Sequence, residues 1–320
     1  MSWKSLTDTN VENRNAGNGG DLVKHTVYLV TLQFLLKHAP WNQGMRLREC
    51  HAGRGIYTIA RKDSRIRTFS ALFSKTLIAP IMLVETQRKL LRHLGCWLDS
   101  ANGAHWYAGS ALMNALTLAT ESHIHEVDLY EWQPETRRIL RAVVKDMPVE
   151  SQVGLKILPG EEKDEPFDGE AYIEERVGEW HRQDVILLDP FAMWRQSTDQ
   201  SKRNRYSAIV DRVLQHGLDA PSLILFWTWG RAFPVAEGDL NDTIERRNNG
   251  YQELRAKFHK AEVQIIRVMW RWGLQFAMWV VVPTEHVGSL RDDLELHCRR
   301  LSDHLDQTPI HVDIDSRLES

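Results

Sequence analysis

The sequence predicts an α/β fold in which helices cover both faces of a mostly parallel sheet. Three observations support this prediction. Short apolar segments bounded by turn residues recur along most of the 320 residues. Helix-like segments with an apolar side separate them, which is the alternation typical of parallel sheets. Two apolar segments near the C-terminus flank Gly273 and predict a closing antiparallel hairpin.

The N-terminal part is predicted to enter the sheet through one helix. Residues 1–12 are expected to form a loose tail, and residues 13–320 one domain. A loop rich in Gly and Asn at 13–21 precedes a helix that Asp21 can cap and that Pro40 ends. Apolar residues on two sides of this helix indicate that it is largely buried.

The remaining elements follow in alternation. The stretch 58–104 is too long for a simple connection between strands and is predicted to be a helical insertion. Predicted strands occupy 45–50, 127–132, 154–158, 184–190 and 222–229, and the hairpin strands occupy 263–270 and 274–282. Predicted helices cover 134–147, with Pro134 at the first position, and 285–304.

Composition and charge limit the classes of protein to consider. The three cysteines are far apart, without metal-ligand spacing, so reduced cysteines and no metal site are expected. No segment has the length and apolarity of a signal peptide or a membrane span, and a cytoplasmic protein without membrane contact is expected.

The net charge is −3, so any nucleic-acid contact must use a local basic patch. Candidates are Arg61 to Arg67 and Lys202 to Arg205, although a solvated face is the more frequent explanation for each.

A glycine-punctuated turn follows the first predicted strand. Residues His51, Gly53 and Gly55 belong to the sequence HAGRG. Glycines at this place let the backbone approach a ligand closely, and the amides that follow can hold an anion. A plain tight turn is the alternative explanation of this segment.

Two acidic residues end later strands. Glu131 is placed where a carboxylate can accept two hydrogen bonds from a ribose diol, although a surface Glu is an equal alternative. Asp189 closes an apolar strand and precedes Pro190 and Phe191. A carboxylate there is costly unless it is paired or functional, so Asp189 is predicted to accept a hydrogen bond from a substrate amine, and the Pro190 carbonyl a second one.

The loop at 15–21 enters a helix that carries Lys24 and His25. A glycine-rich loop before a helix suits a carboxylate or a phosphate, and Lys24 adds positive charge. A flexible loop with a capping Asp21 is the equal alternative. The loop lacks the P-loop pattern, which excludes that class of nucleotide site.

Taken in order, these motifs resemble one family, the large-subunit ribosomal RNA adenine-N6 methyltransferases of the RlmJ type. Residues 15–25 resemble that family's opening HAGNxADxxKH segment, and residues 49–57 its DTHAGxGxY motif. Gly109 with Ser110 falls at its PGSP, residues 129–134 are similar to its TELHP, and Asp189 with Pro190 begins its DPPY. The sequence departs from that last motif, which reads DPFA here.

The resemblance implies a Rossmann-like class I fold that binds S-adenosylmethionine (SAM) and methylates the exocyclic amine of an adenine, with RNA as the expected substrate and rRNA processing as the expected role. It implies that Asp189 is the catalytic acceptor and that Pro190 and Phe191 belong to the catalytic motif; Phe191 or Trp194 would stack on the base. The residues implied to bind the cofactor are Lys24, His25, His51, Gly53, Gly55, Ser110, Glu131, Gly160 and Asp189.

Two other functions remain open from the sequence. A module that keeps the SAM site without catalysis could act by binding nucleic acid or a partner. A methyltransferase for a protein or a small molecule is the third possibility. SAM binding with turnover separates the first and third from an inert module, and nuclease sensitivity of the methylated product separates the first from the third.

Overall fold

A computed structural model of the chain gives its fold. The residues it describes are 19–60, 82–96, 104–119, 123–147, 153–160, 165–189, 200–228, 252–272, 274–305 and 309–315. The predictions made for residues 1–12, for Arg61 to Arg67 and for Pro190, Phe191 and Trp194 lie outside this part of the chain.

Eight strands form one sheet in the order β10-β8-β9-β7-β6-β1-β4-β5, and β2 pairs with β3 in a separate two-stranded sheet. The strands are β1 Arg46–Cys50, β2 Ile56–Ala60, β3 Ala104–Ala108, β4 His125–Tyr130, β5 Val153–Leu158, β6 Asp184–Leu188, β7 Ser222–Thr228, β8 Ile265–Trp272, β9 Leu274–Val281 and β10 Ile310–Asp315. From β7 to β5 all neighbours are parallel, whereas β9, β8 and β10 pair antiparallel.

Helices cover both faces of the large sheet. They are α1 Gly19–Leu35, α2 Met82–His93, α3 Ser110–Leu118, α4 Pro134–Val144, α5 Gly169–Arg176, α6 Gln200–Gln215, α7 at 252–260 and α8 Thr284–Ser302. Local sequence explains several helix starts. Pro134 occupies the first turn of α4, and the Asp168 carboxylate caps α5 by accepting from the Ala171 amide at 3.0 Å.

The core lies in two layers, one on each face of the sheet. Along β6, Val185 and Leu187 pack with the layer that includes α1, α3 and α8, while Ile186 and Leu188 pack with the layer of α5 and α6. All four side chains are buried, because successive strand residues point to opposite faces and both faces are covered. This explains why the strand is apolar throughout.

The predicted α/β class with a mostly parallel sheet is confirmed, and so is the C-terminal hairpin of β8 and β9. The helical insertion predicted for 58–104 contains α2, but strand residues of β2 and β3 lie at its two ends. These strands pair antiparallel across more than forty intervening residues, from Ile56 opposite Ala108 to Ala60 opposite Ala104. Local periodicity does not report such a distant partner. The edge strand β10 was likewise not predicted.

No helix in the described part of the chain combines the length and apolarity needed to cross a membrane.

A buried ion-pair network lies inside the sheet. Arg48 on β1 is 7% exposed, and its guanidinium donates to the Asp128 carboxylate on β4 and to Asp184 on β6, the latter at 3.2 Å. The guanidinium carbon also lies 5.5 Å from the centre of the Trp180 ring. The network therefore joins three neighbouring parallel strands through side chains as well as through the backbone.

We expect Arg48→Ala to lower the free energy of unfolding by about 3–5 kcal/mol, because removing one partner leaves buried carboxylates without their countercharge. Urea denaturation at neutral pH measures this loss. The matched control is Arg291→Ala, which removes an exposed pair with Glu295 at 3.0 Å and should cost about 1 kcal/mol or less. Equal losses in the two variants would contradict the role given to Arg48.

Candidate functional site

The carboxyl ends of three parallel strands meet at the point where the strand order reverses. Strand β1 lies between β4 and β6, and its last residue Cys50 is in register with Tyr130 and with Leu188. The residues that follow these ends, His51, Glu131 and Asp189, therefore emerge side by side at one edge of the sheet. This edge is where open α/β sheets bind their ligands.

The turn after β1 has an unusual backbone. His51, Gly53 and Gly55 have φ values of 68°, 64° and 75°, in the left-handed region that favours glycine. A Cβ on Gly55 would lie 2.8 Å from a Leu140 methyl and 3.0 Å from Leu112, so a side chain has no room there. The glycines predicted from the HAGRG motif are thus required by the conformation of the turn.

Glu131 binds this turn. One carboxylate oxygen accepts from the Gly53 amide at 2.9 Å, and the other accepts from the Gln133 amide at 3.0 Å. Glu131 is 9% exposed. Each carboxylate oxygen has a second lone pair, so Glu131 can hold the turn and still accept hydrogen bonds from a ligand hydroxyl.

Asp189 is joined to the first helix by an ion pair. The Lys24 ammonium lies 2.6 Å from the Asp189 carboxylate and 3.1 Å from Asp21, and all three side chains are mostly buried. Burial alone would lower the pKa of Lys24, but the charges of Asp189 and Asp21 outweigh it and raise the pKa above its ordinary value. The structure thus brings together the opening segment and the strand end that the sequence predicts as separate parts of one site.

A third carboxyl group, that of Glu49, lies at the same edge and is buried. Glu49, near the end of β1, is 2% exposed and accepts hydrogen bonds from the Ser110 hydroxyl and, at 2.9 Å, from the Asn114 amide. Burial raises the pKa of Glu49 to about 7, although the two hydrogen bonds oppose the shift and the charge of Asp189 adds to it. Sequence reasoning treated Glu49 only as part of a motif and gave it no role, because its burial depends on α3.

Aromatic rings line the α1 side of the site. His25, 4% exposed, shares a short hydrogen bond with the Tyr107 hydroxyl and stacks on that ring at 5.5 Å. Burial, together with the charge of Lys24, lowers the pKa of His25, so its imidazole is neutral. The Tyr28 hydroxyl is buried and has no hydrogen-bond partner among the described residues. Its pKa is raised by burial and by the nearby carboxylates of Asp189 and Glu49.

His51 is held on the opposite side of the turn. Its Nε2 lies 3.0 Å from the Glu170 carboxylate, which also accepts from the Tyr206 hydroxyl at 3.1 Å. Glu170 was not predicted as a site residue; it lies in the first turn of α5. Its contacts place this turn beside the site.

Two predicted positions have a looser relation to the site. Gly160 follows β5, which lies next to β4 at the end of the sheet, and Gly160 is exposed. Arg205, a candidate for phosphate contact, instead forms an ion pair with Asp168, the capping residue of α5. Ser110 lies at the site, where its hydroxyl binds Glu49.

Comparison with known proteins supports the architecture. The crystal structure of protein LPL1258 from Legionella pneumophila strain Philadelphia 1, described as family-model DUF519, matches this fold with a TM-score of 0.62. The match covers 95% of this chain and 99% of that one at 15% sequence identity. No protein-family model matches the sequence, and no curated protein matches it. A likeness at this identity shows a shared α/β fold, consistent with a Rossmann-like arrangement.

The raised pKa of Glu49 predicts a pH dependence of stability. A glutamate ordinarily titrates near 4.5, so between 4.5 and about 7 the folded state holds a proton that the unfolded state has lost. Stability contributed by this group is therefore full below 4.5 and is lost as the pH rises through 7. We expect the stability of Glu49→Gln relative to wild type to improve by about 2–3 kcal/mol between pH 5 and pH 8.

Thermal and urea unfolding of both proteins at several pH values measures this difference. Asn114→Asp supplies a matched second variant, because a carboxyl placed beside Glu49 should raise its pKa further and move the transition to higher pH. A wild-type to Glu49→Gln difference that stays constant from pH 5 to pH 8 would show that Glu49 is not protonated in the folded protein.

Proposed function

We propose that this protein is a SAM-dependent methyltransferase that acts on an amine, with the exocyclic amine of an adenine in nucleic acid, RNA in particular, as the substrate. The observation that carries the proposal is the arrangement at the reversal of strand order. A left-handed glycine turn bound by Glu131 lies beside a carboxylate, Asp189, that ends the neighbouring strand.

The residues at this edge fit the parts of SAM. Glu131 offers lone pairs for a ribose diol, and the bare backbone of Gly53 and Gly55 permits close approach of the ligand. Lys24 and the N-terminal turn of α1 suit a carboxylate, while Glu49 suits an ammonium group. The Tyr28 hydroxyl, which has no partner within the described part of the chain, is a further polar group to which a ligand can hydrogen-bond.

The chemistry supplied by bound SAM is an electrophilic methyl group, so the protein needs no covalent nucleophile. Asp189 orients the attacking amine by accepting one N–H hydrogen bond at its carboxylate. As the nitrogen becomes positively charged, this hydrogen bond strengthens, and its contribution is greatest in the transition state. The carboxylate is then placed to accept the proton that the nitrogen loses.

The Lys24 ammonium must move away from Asp189 before the substrate amine can bind there. In the structure this ammonium forms an ion pair with the Asp189 carboxylate, and the Asp21 carboxylate lies 3.1 Å away as an alternative partner. A shift of the ammonium toward Asp21 keeps the charge of Lys24 paired and opens Asp189. A binding module without catalysis would keep the same ion pair between Lys24 and Asp189. Turnover is therefore the measurement that separates a methyltransferase from such a module.

Glu131→Ala is expected to weaken SAM binding by about 1–3 kcal/mol, because the ribose hydroxyls lose their acceptor and the turn loses its anchor. Titration calorimetry with SAM and with S-adenosylhomocysteine measures the affinity. Glu135→Ala is the matched control, since Glu135 is an exposed carboxylate four residues away whose partner is Arg138. Wild-type protein that is folded and shows no binding at millimolar SAM would overturn the proposed cofactor.

Asp189→Asn is expected to lower turnover by on the order of a hundredfold or more while SAM affinity changes by only a few fold. Single-turnover transfer of a tritiated methyl group to RNA, and separately to DNA, measures this rate. Asp292→Asn is the matched control, because it removes an exposed carboxylate on α8 that pairs with Arg291 and has no part in the proposed site.

Three results would change the interpretation of Asp189. Equal rates for Asp189→Asn and wild type would contradict the mechanism. SAM binding by wild type without transfer to any nucleic acid would favour the non-catalytic module. Methyl transfer to a product that nuclease does not degrade would favour a protein or small-molecule substrate.

A further inference from the structure

A basic cleft lies along α2, away from the residues discussed above. Its volume is about 610 Å³. Among the residues that the structure describes, the cleft is lined by basic side chains of α2, by one acidic side chain of that helix and by an apolar residue of α3: Arg88, Lys89, Arg92, His93, Glu85 and Leu116. The helix lies within 58–104, and its basic residues are distinct from the Arg61 to Arg67 stretch considered from the sequence.

The helical period explains the charge of the cleft. Glu85, Arg88, Lys89 and Arg92 follow one another at intervals of one, three or four residues, so they share one side of α2. Leu83, Leu90 and Leu91 are buried and fix the opposite side to the core. The helix therefore has to present its basic side outward, and Lys89 and Arg92 are exposed.

The cleft is connected to the proposed active site by α2 and α3. The Gln87 side chain, buried on α2, donates to the Ala108 carbonyl at 2.7 Å and accepts from the Ala108 amide at 2.9 Å. Ala108 ends β3, two residues before Ser110. Leu116 in the cleft lies six residues beyond Ser110 on α3, about 9 Å along the helix axis. The cleft and Ser110, which binds Glu49, therefore lie toward the two ends of the same short helix.

We propose that this cleft binds the phosphodiester backbone of single-stranded nucleic acid that flanks the target base. The inference rests on the proposed function, in which the reacting base must be unstacked and its strand locally single. The two arginines offer planar forks that match phosphate oxygens, and Lys89 adds a point charge.

A polyanion needs a local basic surface on this protein. With a net charge of −3, the chain attracts a polyanion only at a local patch. An acidic protein is a weaker candidate, since carboxylates are single groups whereas a phosphodiester strand places a charge at every nucleotide along a cleft.

The test is binding of a labelled single-stranded RNA of about 20 nucleotides, and of DNA with the same sequence, by fluorescence anisotropy over a range of salt concentrations. The variant R88Q/K89Q/R92Q should bind at least tenfold more weakly at 0.1 M salt. The slope of log K against log salt concentration should become less negative by about 2 in this variant. Each of the three lost phosphate contacts contributes roughly −0.7 to that slope on a single strand. The variant E85Q should bind a few fold more tightly, since it removes the opposing charge.

The matched control is K37Q/R299Q/R300Q, which removes the same charge from exposed positions near the end of α1 and on α8. It should bind RNA within about twofold of wild type. Equal loss of RNA affinity in the two triple variants would show that only net charge matters and would overturn the inference that the cleft binds nucleic acid. Wild-type protein that binds neither RNA nor DNA at low salt would also overturn it, as would unchanged affinity in both R88Q/K89Q/R92Q and E85Q.

Calorimetry with SAM on the same proteins separates this inference from the proposed function. Normal SAM binding in R88Q/K89Q/R92Q, together with weaker RNA binding, shows that the variant is folded and supports the cleft. RNA binding through the cleft in a wild-type protein that fails to bind SAM would leave the cleft standing and overturn the methyltransferase. Methyl transfer to nucleic acid by a protein whose RNA affinity is unaffected by the cleft variants would support the methyltransferase and overturn the role of the cleft.

Discussion

The parallel pairing of β1 with both β4 and β6 is the constraint on which the rest of the structure depends. Because Cys50 is in register with the last residues of both neighbouring strands, the chain leaves all three strands at the same edge of the sheet. In open α/β sheets, ligands bind at such a reversal of strand order. The glycine turn, Glu131 and Asp189 owe their proximity to this pairing, and the Arg48 network reinforces it from within the same three strands.

Three carboxyl groups lie at this edge, and burying them is unfavourable unless each has a hydrogen-bond or ion-pair partner. The carboxylates are satisfied in three different ways. Glu131 accepts backbone amides, Asp189 pairs with Lys24, and Glu49 accepts two side-chain donors while burial raises its pKa. Each carboxyl group therefore has partners within the protein itself. A site of this kind is held in place by its own hydrogen bonds, at some cost in stability.

The sequence predicted the turn and strand-end residues better than it predicted the contacts around them. The glycines, the acidic residues after β4 and β6 and the lysine of the first helix were predictable, because turns and strand ends have local signals. Glu49 and Glu170 were not, since what distinguishes them is burial against α3 and contact with His51. The pairing of β2 with β3 and the edge strand β10 were missed for the same reason. Their partners lie far away in the sequence, and periodicity reports only which face of a segment is apolar.

By itself, the sequence determined the α/β class, the order of most strands and helices, the closing hairpin and the residue types at the strand ends. Those features follow from apolar periodicity and from the conformational freedom of glycine, which act within a few residues. Only the tertiary structure decided which side chains meet: Lys24 with Asp189, Ser110 with Glu49, and Arg205 with Asp168. Such contacts depend on long-range strand pairing and on the balance between burying a charge and pairing it, and no local pattern contains that balance.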